Sequence, residues 1–203
     1  MSAPYGGSAA AKAASVGRQM TESGAYAAKV NAPFAVLGLR TNGSAVTGLS
    51  YLPADESLQA PCDRIAERAV REIERYLADS QFRFSVPLAP GGTPFQQRVW
   101  EAIRAVPISE SRTYGEIARA VRSAPRAVGQ ACGANRIALI IPCHRVVGSR
   151  GALGGFMGKL GSDSNFSGSG LSSVHLLKLE SDPSFPIEIK RWLLTHEGYR
   201  FGR

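Results

Sequence analysis

The stretch Pro87-Leu88-Ala89-Pro90-Gly91-Gly92 divides the chain into two parts with different periodicities. Two prolines and two glycines within six residues sustain neither a helix nor a central strand, so regular structure must be built on either side. On the N-terminal side, Ala35-Val36-Leu37-Gly38-Leu39 and Ala45-Val46-Thr47-Gly48-Leu49 flank Thr41-Asn42-Gly43-Ser44. Asn-Gly between two β-prone runs predicts a hairpin. Residues 57–77 then change period. Ile65, Ala69, Ile73 and Tyr76/Leu77 recur at helical spacing, with Asp63, Arg64, Glu67, Arg68, Arg71, Glu72 and Arg75 opposite them. Phe82-Arg83-Phe84-Ser85-Val86 alternates as a short strand would. Residues 24–88 are therefore expected to form a small sheet covered by one helix. Residues 1–23 are rich in Ala, Ser and Gly and are expected to be flexible.

Beyond the break the pattern is helical. Thr93-Pro94-Phe95-Gln96 supplies an N-cap, a proline at the first helical position and a capping-box partner at the third, ahead of Val99, Trp100 and Ile103. Thr113-Tyr114-Gly115-Glu116 repeats the capping box, and Ser123-Ala124-Pro125 opens a further helix. Two short helices on a tight turn have the outline of a helix-turn-helix, and equally of a plain antiparallel pair packed through alanines. The second of them is made of small residues, Ala127, Gly129, Ala131, Cys132, Gly133 and Ala134, behind one long cation, Arg126. Pro186 to Leu194 reads as a last amphipathic helix, closed by Gly198 as a C-cap.

Charge narrows the class of partner. Of 203 residues, 24 are Lys or Arg and 16 Asp or Glu, a net charge of +8 that suits a polyanion such as nucleic acid. Cys62, Cys132 and Cys143 are odd in number and widely spaced, which is neither a disulfide framework nor a zinc pattern. No metal is expected, and a reducing compartment is. Met1 to Met20 lacks the continuous apolar core of a secretion signal, and no apolar segment reaches the roughly 20 residues that span a bilayer. The expectation is a cytoplasmic protein without a membrane partner.

One segment carries chemistry. Leu139-Ile140-Ile141 leads into Pro142-Cys143-His144-Arg145 and leaves through Val146-Val147. Adjacent Cys and His supply a nucleophile and a proton acceptor. A cysteine in an apolar run is also compatible with an inert core residue. The turn-rich stretch from Gly148 to Gly161 that follows suits either a backbone lying against a ligand or a plain loop.

Pro142-Cys143-His144-Arg145-Val146 resembles the active-site signature of the O6-alkylguanine-DNA alkyltransferases, the methylated-DNA–protein-cysteine methyltransferases. Thr113-Tyr114-Gly115-Glu116-Ile117-Ala118, Arg126-Ala127-Val128-Gly129, and Asn135 ahead of Cys143 fall in the family's order and spacing, and Trp192 to Gly198 is similar to its closing helix. The resemblance implies an α+β fold: a small N-terminal ribonuclease-H-like α/β unit over 24–88, then a mainly helical DNA-binding and alkyltransferase domain over 93–203 with a helix-turn-helix and an active-site loop. It implies direct, irreversible transfer of an alkyl group from O6-alkylguanine in DNA to Cys143, one event per molecule, with O4-methylthymine as a further substrate left open. No cofactor is implied.

The same resemblance distributes roles. His144 would take the thiol proton, by family precedent through a bound water, and Glu197 would orient the imidazole. Tyr114 would donate to the departing guanine, and Asn135 would tie the recognition helix to the active-site loop. Arg126 would fill the gap left by the flipped base. Thr113, Tyr114, Ala127, Gly129 and Arg145 would meet double-stranded DNA in the minor groove, and Val146, Ser149, Phe156 and Gly158 would line the pocket. The protein would be a monomer, acting alone or clustering on DNA. Glu197 follows Cys143 by 54 residues, further than the family's usual interval, and the excess is an insertion at about 159–185. An insertion that blocked the chemistry would leave a non-catalytic alkylated-base-binding module.

Overall fold

The computed structural model describes residues 26–153 and 185–201; the N-terminal 23 residues, Phe156, Gly158 and nearly all of the insertion lie outside them. The described chain is a mixed sheet-and-helix structure. Strands β1 (Ala28–Ala32), β2 (Ala35–Thr41) and β3 (Val46–Leu52) form an antiparallel sheet in the order β1-β2-β3. The Asn42-Gly43 turn is where the sequence puts it. Asn42 Oδ1 accepts from Ser44 N at 3.1 Å and from Ala45 N at 2.9 Å, and Gly43 takes φ 82°, which a side chain resists.

Helix α1 (Arg64–Ala78) covers the sheet. Asp63 caps it by accepting from Ala66 N, and Ala66, Ala69, Ile73 and Tyr76 face the core. Glu72, expected on the solvent side, is buried instead. Its Oε2 accepts from Ser85 N at 2.7 Å and Val86 N at 2.9 Å, and its Oε1 from Arg68 Nε at 2.9 Å and Ser85 Oγ at 2.8 Å. This also corrects the strand expected over 82–86. The Ser85 and Val86 amides are spent on this carboxylate and Phe82 N on Asp79 O, not on a ladder, and the segment stays irregular. Burial alone would raise the Glu72 carboxyl, but these donors more than offset it and leave the pKa lowered.

A folded pKa below the unfolded one means stability that is present above the unfolded value and lost as pH falls through the folded one. Glu72→Ala, which strands two backbone N–H groups, should destabilise the protein by about 2 kcal/mol in denaturant titration. Its stability should also depend less steeply on pH in the acid range than that of the wild type.

The second half is helical: α2 (Pro94–Arg104), α3 (Tyr114–Ala120), α4 (Pro125–Gly133) and α5 (Phe185–His196). Capping boxes at Thr93 and Thr113 open α2 and α3. Trp100 Nε1 donates to Ala131 O at 2.8 Å and fixes α2 against α4. Two short strands, β4 (Arg112–Thr113) and β5 (Val146–Val147), pair in parallel, so the start of α3 sits beside the exit of the Cys143 segment. Leu49 N donates to Arg136 O at 2.7 Å, joining the sheet to the loop after α4. Among the described residues no helix is long and apolar enough to cross a membrane.

Candidate active site

Asn135 builds the loop that presents Cys143. Its Oδ1 accepts from Ile137 N at 3.0 Å and its Nδ2 donates to Ile141 O at 3.0 Å, while Ile141 N returns to Ile137 O at 2.9 Å. The apolar run is thus a closed, buried loop, with Leu139 at φ 88°, a costly backbone for a bulky residue. The same Nδ2 lies 2.9 Å from Cys143 Sγ. One amide shapes the loop and touches the sulfur.

Cys143-His144-Arg145 then make a single buried 3-10 turn. His144 Nε2 is 3.0 Å from Glu197 Oε1. An ionised carboxylate only accepts, so Nε2 carries the proton and the lone pair lies on Nδ1. That Nδ1 is buried and has no hydrogen-bond partner among the described residues. Burial holds the His144 pKa below its ordinary value, against the pull of Glu197, so the ring is a neutral base near pH 7.

Glu197 is only 1% exposed and accepts from four donors. Oε1 takes His144 Nε2, Tyr76 OH at 3.0 Å and one Arg145 terminal nitrogen at 2.8 Å; Oε2 takes Arg145 Nε at 2.8 Å. Burial would raise its pKa, but the bonds from His144 and Arg145 prevail and hold it at about 2. Its position follows from the end of α5. Gly198 at φ 80° lets Gly198 N reach Thr195 O and Tyr199 N reach Leu194 O, both at 2.9 Å, which stops the helix on Glu197. Ser109 Oγ also donates to the Glu197 carbonyl.

Arg145 corrects an expectation. Expected at the DNA, its guanidinium is instead turned inward, held by both Glu197 oxygens and by Val106 O at 2.7 Å. Three of its five N–H donors are spent on these buried acceptors, which holds the charge in the interior beside Glu197.

The other expected residues divide by exposure. Tyr114 is half-buried at the start of α3, and burial pushes its phenol up to about 12, so it is a donor. The Thr113 hydroxyl accepts from Glu116 N at 3.2 Å within its capping box and donates to Glu116 Oε2 at 2.8 Å. Arg126 is exposed at the N-terminal end of α4, with Ala127 and Gly129 half-buried behind it. A side chain at Gly129 would begin 4.0 Å from the Tyr114 ring. Val146 is fully buried and Ser149 is exposed. Among the described residues no group of three or more His, Cys, Asp or Glu is placed to hold a metal.

Two contacts were missing from the sequence reading. Lys190 is fully buried on α5, where its Nζ donates to Val146 O at 2.6 Å and to Leu153 O, and lies 5.9 Å from the Tyr114 ring centroid. Burial lowers its pKa to about 8, the two nearby thiols acting against that. Its place three and four residues before Leu193 and Leu194, on an apolar face, is the signal that could have found it. Cys132, on α4, interacts electrostatically with Cys143 through a side-chain hydrogen bond. That bond and burial raise the Cys143 thiol well above its ordinary range, while Asn135 and Lys190 pull it down. The resting nucleophile is therefore protonated and needs a base.

Comparison with known proteins bears on this arrangement. The family model described as "6-O-methylguanine DNA methyltransferase, DNA binding domain" matches residues 94–199. The constitutive methylated-DNA–protein-cysteine methyltransferase of Bacillus subtilis is 48% identical over 44% of this chain, a match spanning 56% of that relative's length. The Methanosarcina acetivorans methylated-DNA–protein-cysteine methyltransferase is 36% identical over 64% of this chain and 88% of its own. A crystal structure of Mycobacterium tuberculosis OGT in complex with DNA superposes with a TM-score of 0.63 at 34% identity, covering 83% of this chain and 90% of that one. The chain belongs to the methylated-DNA–protein-cysteine methyltransferase family.

Proposed function

We propose that the protein repairs DNA by moving the alkyl group of O6-alkylguanine onto its own Cys143. The observation that carries this reading is a buried thiol, touched by Asn135, next in sequence to a neutral imidazole whose far nitrogen is locked on an ionised Glu197. Sγ attacks the alkyl carbon, the carbon–O6 bond breaks, and the thiol proton passes to His144 Nδ1, by way of a water as in the family. Tyr114 donates to the guanine as charge develops on it. The thioether on Cys143 has no route back, so each molecule acts once.

The exposed face around Arg126 supports the DNA half of the reading. Helices α3 and α4 act as a helix-turn-helix whose small-residue helix lies in the minor groove, a groove with little sequence information and thus suited to lesions anywhere. The thiol cannot reach O6 within a duplex, so the base is flipped and Arg126 fills the stack. Exposed Arg98, Arg104, Arg119, Arg122 and Arg136 on the same helical half make affinity fall with salt. We assign residues 24–88 to a ribonuclease-H-like unit and 93–203 to the DNA-binding and transfer domain, with Val146, Ser149, Phe156 and Gly158 at the pocket. The protein acts in the cytoplasm as a monomer, and O4-methylthymine is a second candidate substrate.

The test is intact-mass analysis of the protein after incubation with duplex DNA containing O6-methylguanine. One added methyl, placed by fragmentation on Cys143 and not on Cys132, is the expected result. Tight lesion binding without an adduct would overturn the reading in favour of a non-catalytic lesion binder. In the same assay Arg126→Ala should slow transfer from duplex by about tenfold or more and leave reaction with free O6-alkylguanine unchanged. Equal losses on both substrates would remove Arg126 from base flipping.

A further inference from the structure

Tyr76 belongs to α1, in the half of the chain that carries none of the residues assigned to the reaction. It is nonetheless 1% exposed, and its hydroxyl donates to Glu197 Oε1 at 3.0 Å across 121 residues of sequence. A buried phenol with this partner stays protonated and can only act as the donor. The contact is one part of a clasp. The Tyr76 carbonyl accepts from His196 Nε2 at 2.8 Å, and the Tyr76 ring meets the His196 ring edge-on at 5.3 Å. His196 in turn stacks on Trp192 at 4.8 Å, and Trp192 lies 4.8 Å from Phe34 of the sheet unit. The ring of Tyr76 is further held by Phe84 at 5.3 Å.

The clasp bears on the oxygen that orients His144. Oε1 is shared by three donors, His144, Arg145 and Tyr76, whereas Oε2 has Arg145 alone. Each added donor draws negative charge from that oxygen and narrows the directions from which the imidazole can approach it. Packing alone does not require a hydroxyl at this point, because Phe would supply the same ring contacts.

We infer that Tyr76 is a positioning residue for the transfer reaction, through which the N-terminal half sets the orientation and basicity of the His144–Glu197 pair. The inference rests on His144 being the base. Removing the hydroxyl leaves Oε1 richer in charge, which favours the imidazolium, so the His144 pKa moves upward. Less of the ring is then a free base at a given pH, and the acid limb of the transfer rate moves upward with it.

The test compares the full-length wild type with Tyr76→Phe. Nuclear magnetic resonance titration of the His144 ring should show a pKa raised by about half a unit, and single-turnover transfer from O6-methylguanine DNA should show the same displacement of its acid limb. Lesion-binding affinity should not change. An unmoved His144 titration in folded Tyr76→Phe protein would overturn the inference and leave Tyr76 a packing residue. The ring titration needs neither DNA nor turnover, so failure of the wild type to take up methyl would count against the proposed function, while the titration would still decide the role of Tyr76.

Discussion

Glu197→Ala is expected to destabilise the protein severely and to slow the transfer reaction. It leaves the Arg145 guanidinium, the Tyr76 hydroxyl and His144 Nε2 without their shared acceptor, all in the interior. Removing one partner of a buried ion pair typically costs about 3–5 kcal/mol, because the remaining charge is buried uncompensated. For a chain of this size that lowers the unfolding temperature by roughly 10 °C. The transfer rate should fall by about 10²-fold at a temperature where the variant is still folded, since His144 loses its tautomer and aim. Calorimetry and single-turnover assays read the two effects separately. A variant with wild-type rate would sink the role given to Glu197, whatever its stability.

The pH dependence supplies a second check. Glu197 has a folded pKa of about 2 against 4.5 for an ordinary carboxyl, so its contribution of roughly 3 kcal/mol is full above pH 4.5. That contribution is lost as pH falls from about 4.5 toward 2. Wild-type stability should drop steeply across this window, and the alanine variant should show a shallower slope there.

What could be read from residues alone was local. The Asn42-Gly43 turn, the caps at Thr93 and Thr113, and the Gly198 stop are each set by neighbours within a few positions, where turn and cap chemistry are visible in the chain. The helical face of α1 was legible for Ala69, Ile73 and Tyr76, but not for Glu72. Periodicity sorts residues by polarity, and Glu72 is a polar group used inside to collect the amides of Ser85 and Val86. The strand at 82–86 failed for the same cause.

The candidate site shows a similar division. Cys143, His144 and Asn135 lie within nine positions of each other, and their contacts follow from the loop they share. The direction of Arg145 depended on Val106 and Glu197, and that of Tyr76 on Glu197, at separations no local rule reaches. A basic residue next to the nucleophile of a DNA-binding family is placed at the DNA until a buried carboxylate is known to face it.

Lys190→Met is the second substitution with a large expected effect, and it isolates the charge beside the nucleophile. Methionine replaces the apolar stem and fills the same volume, but removes the ammonium and its bonds to Val146 O and Leu153 O. The Cys143 thiol is raised by its bond to Cys132 and by burial, and Lys190 is one of the two groups acting in the other direction. Without it the thiolate should form less readily, shifting the pH profile of Cys143 labelling by iodoacetamide upward by about one unit. At neutral pH that is about a tenfold slower alkyl transfer. The sign for stability is the same as for Glu197, because both folded pKa values lie below the ordinary ones. Lys190 has its folded pKa at about 8, below the 10.5 of an ordinary lysine, so between these values the unfolded chain binds more protons and wild-type stability rises with pH. The methionine variant should lose that rise. An unshifted labelling profile in a folded variant would mean that the thiolate draws nothing from the lysine and depends on Asn135 and His144 alone.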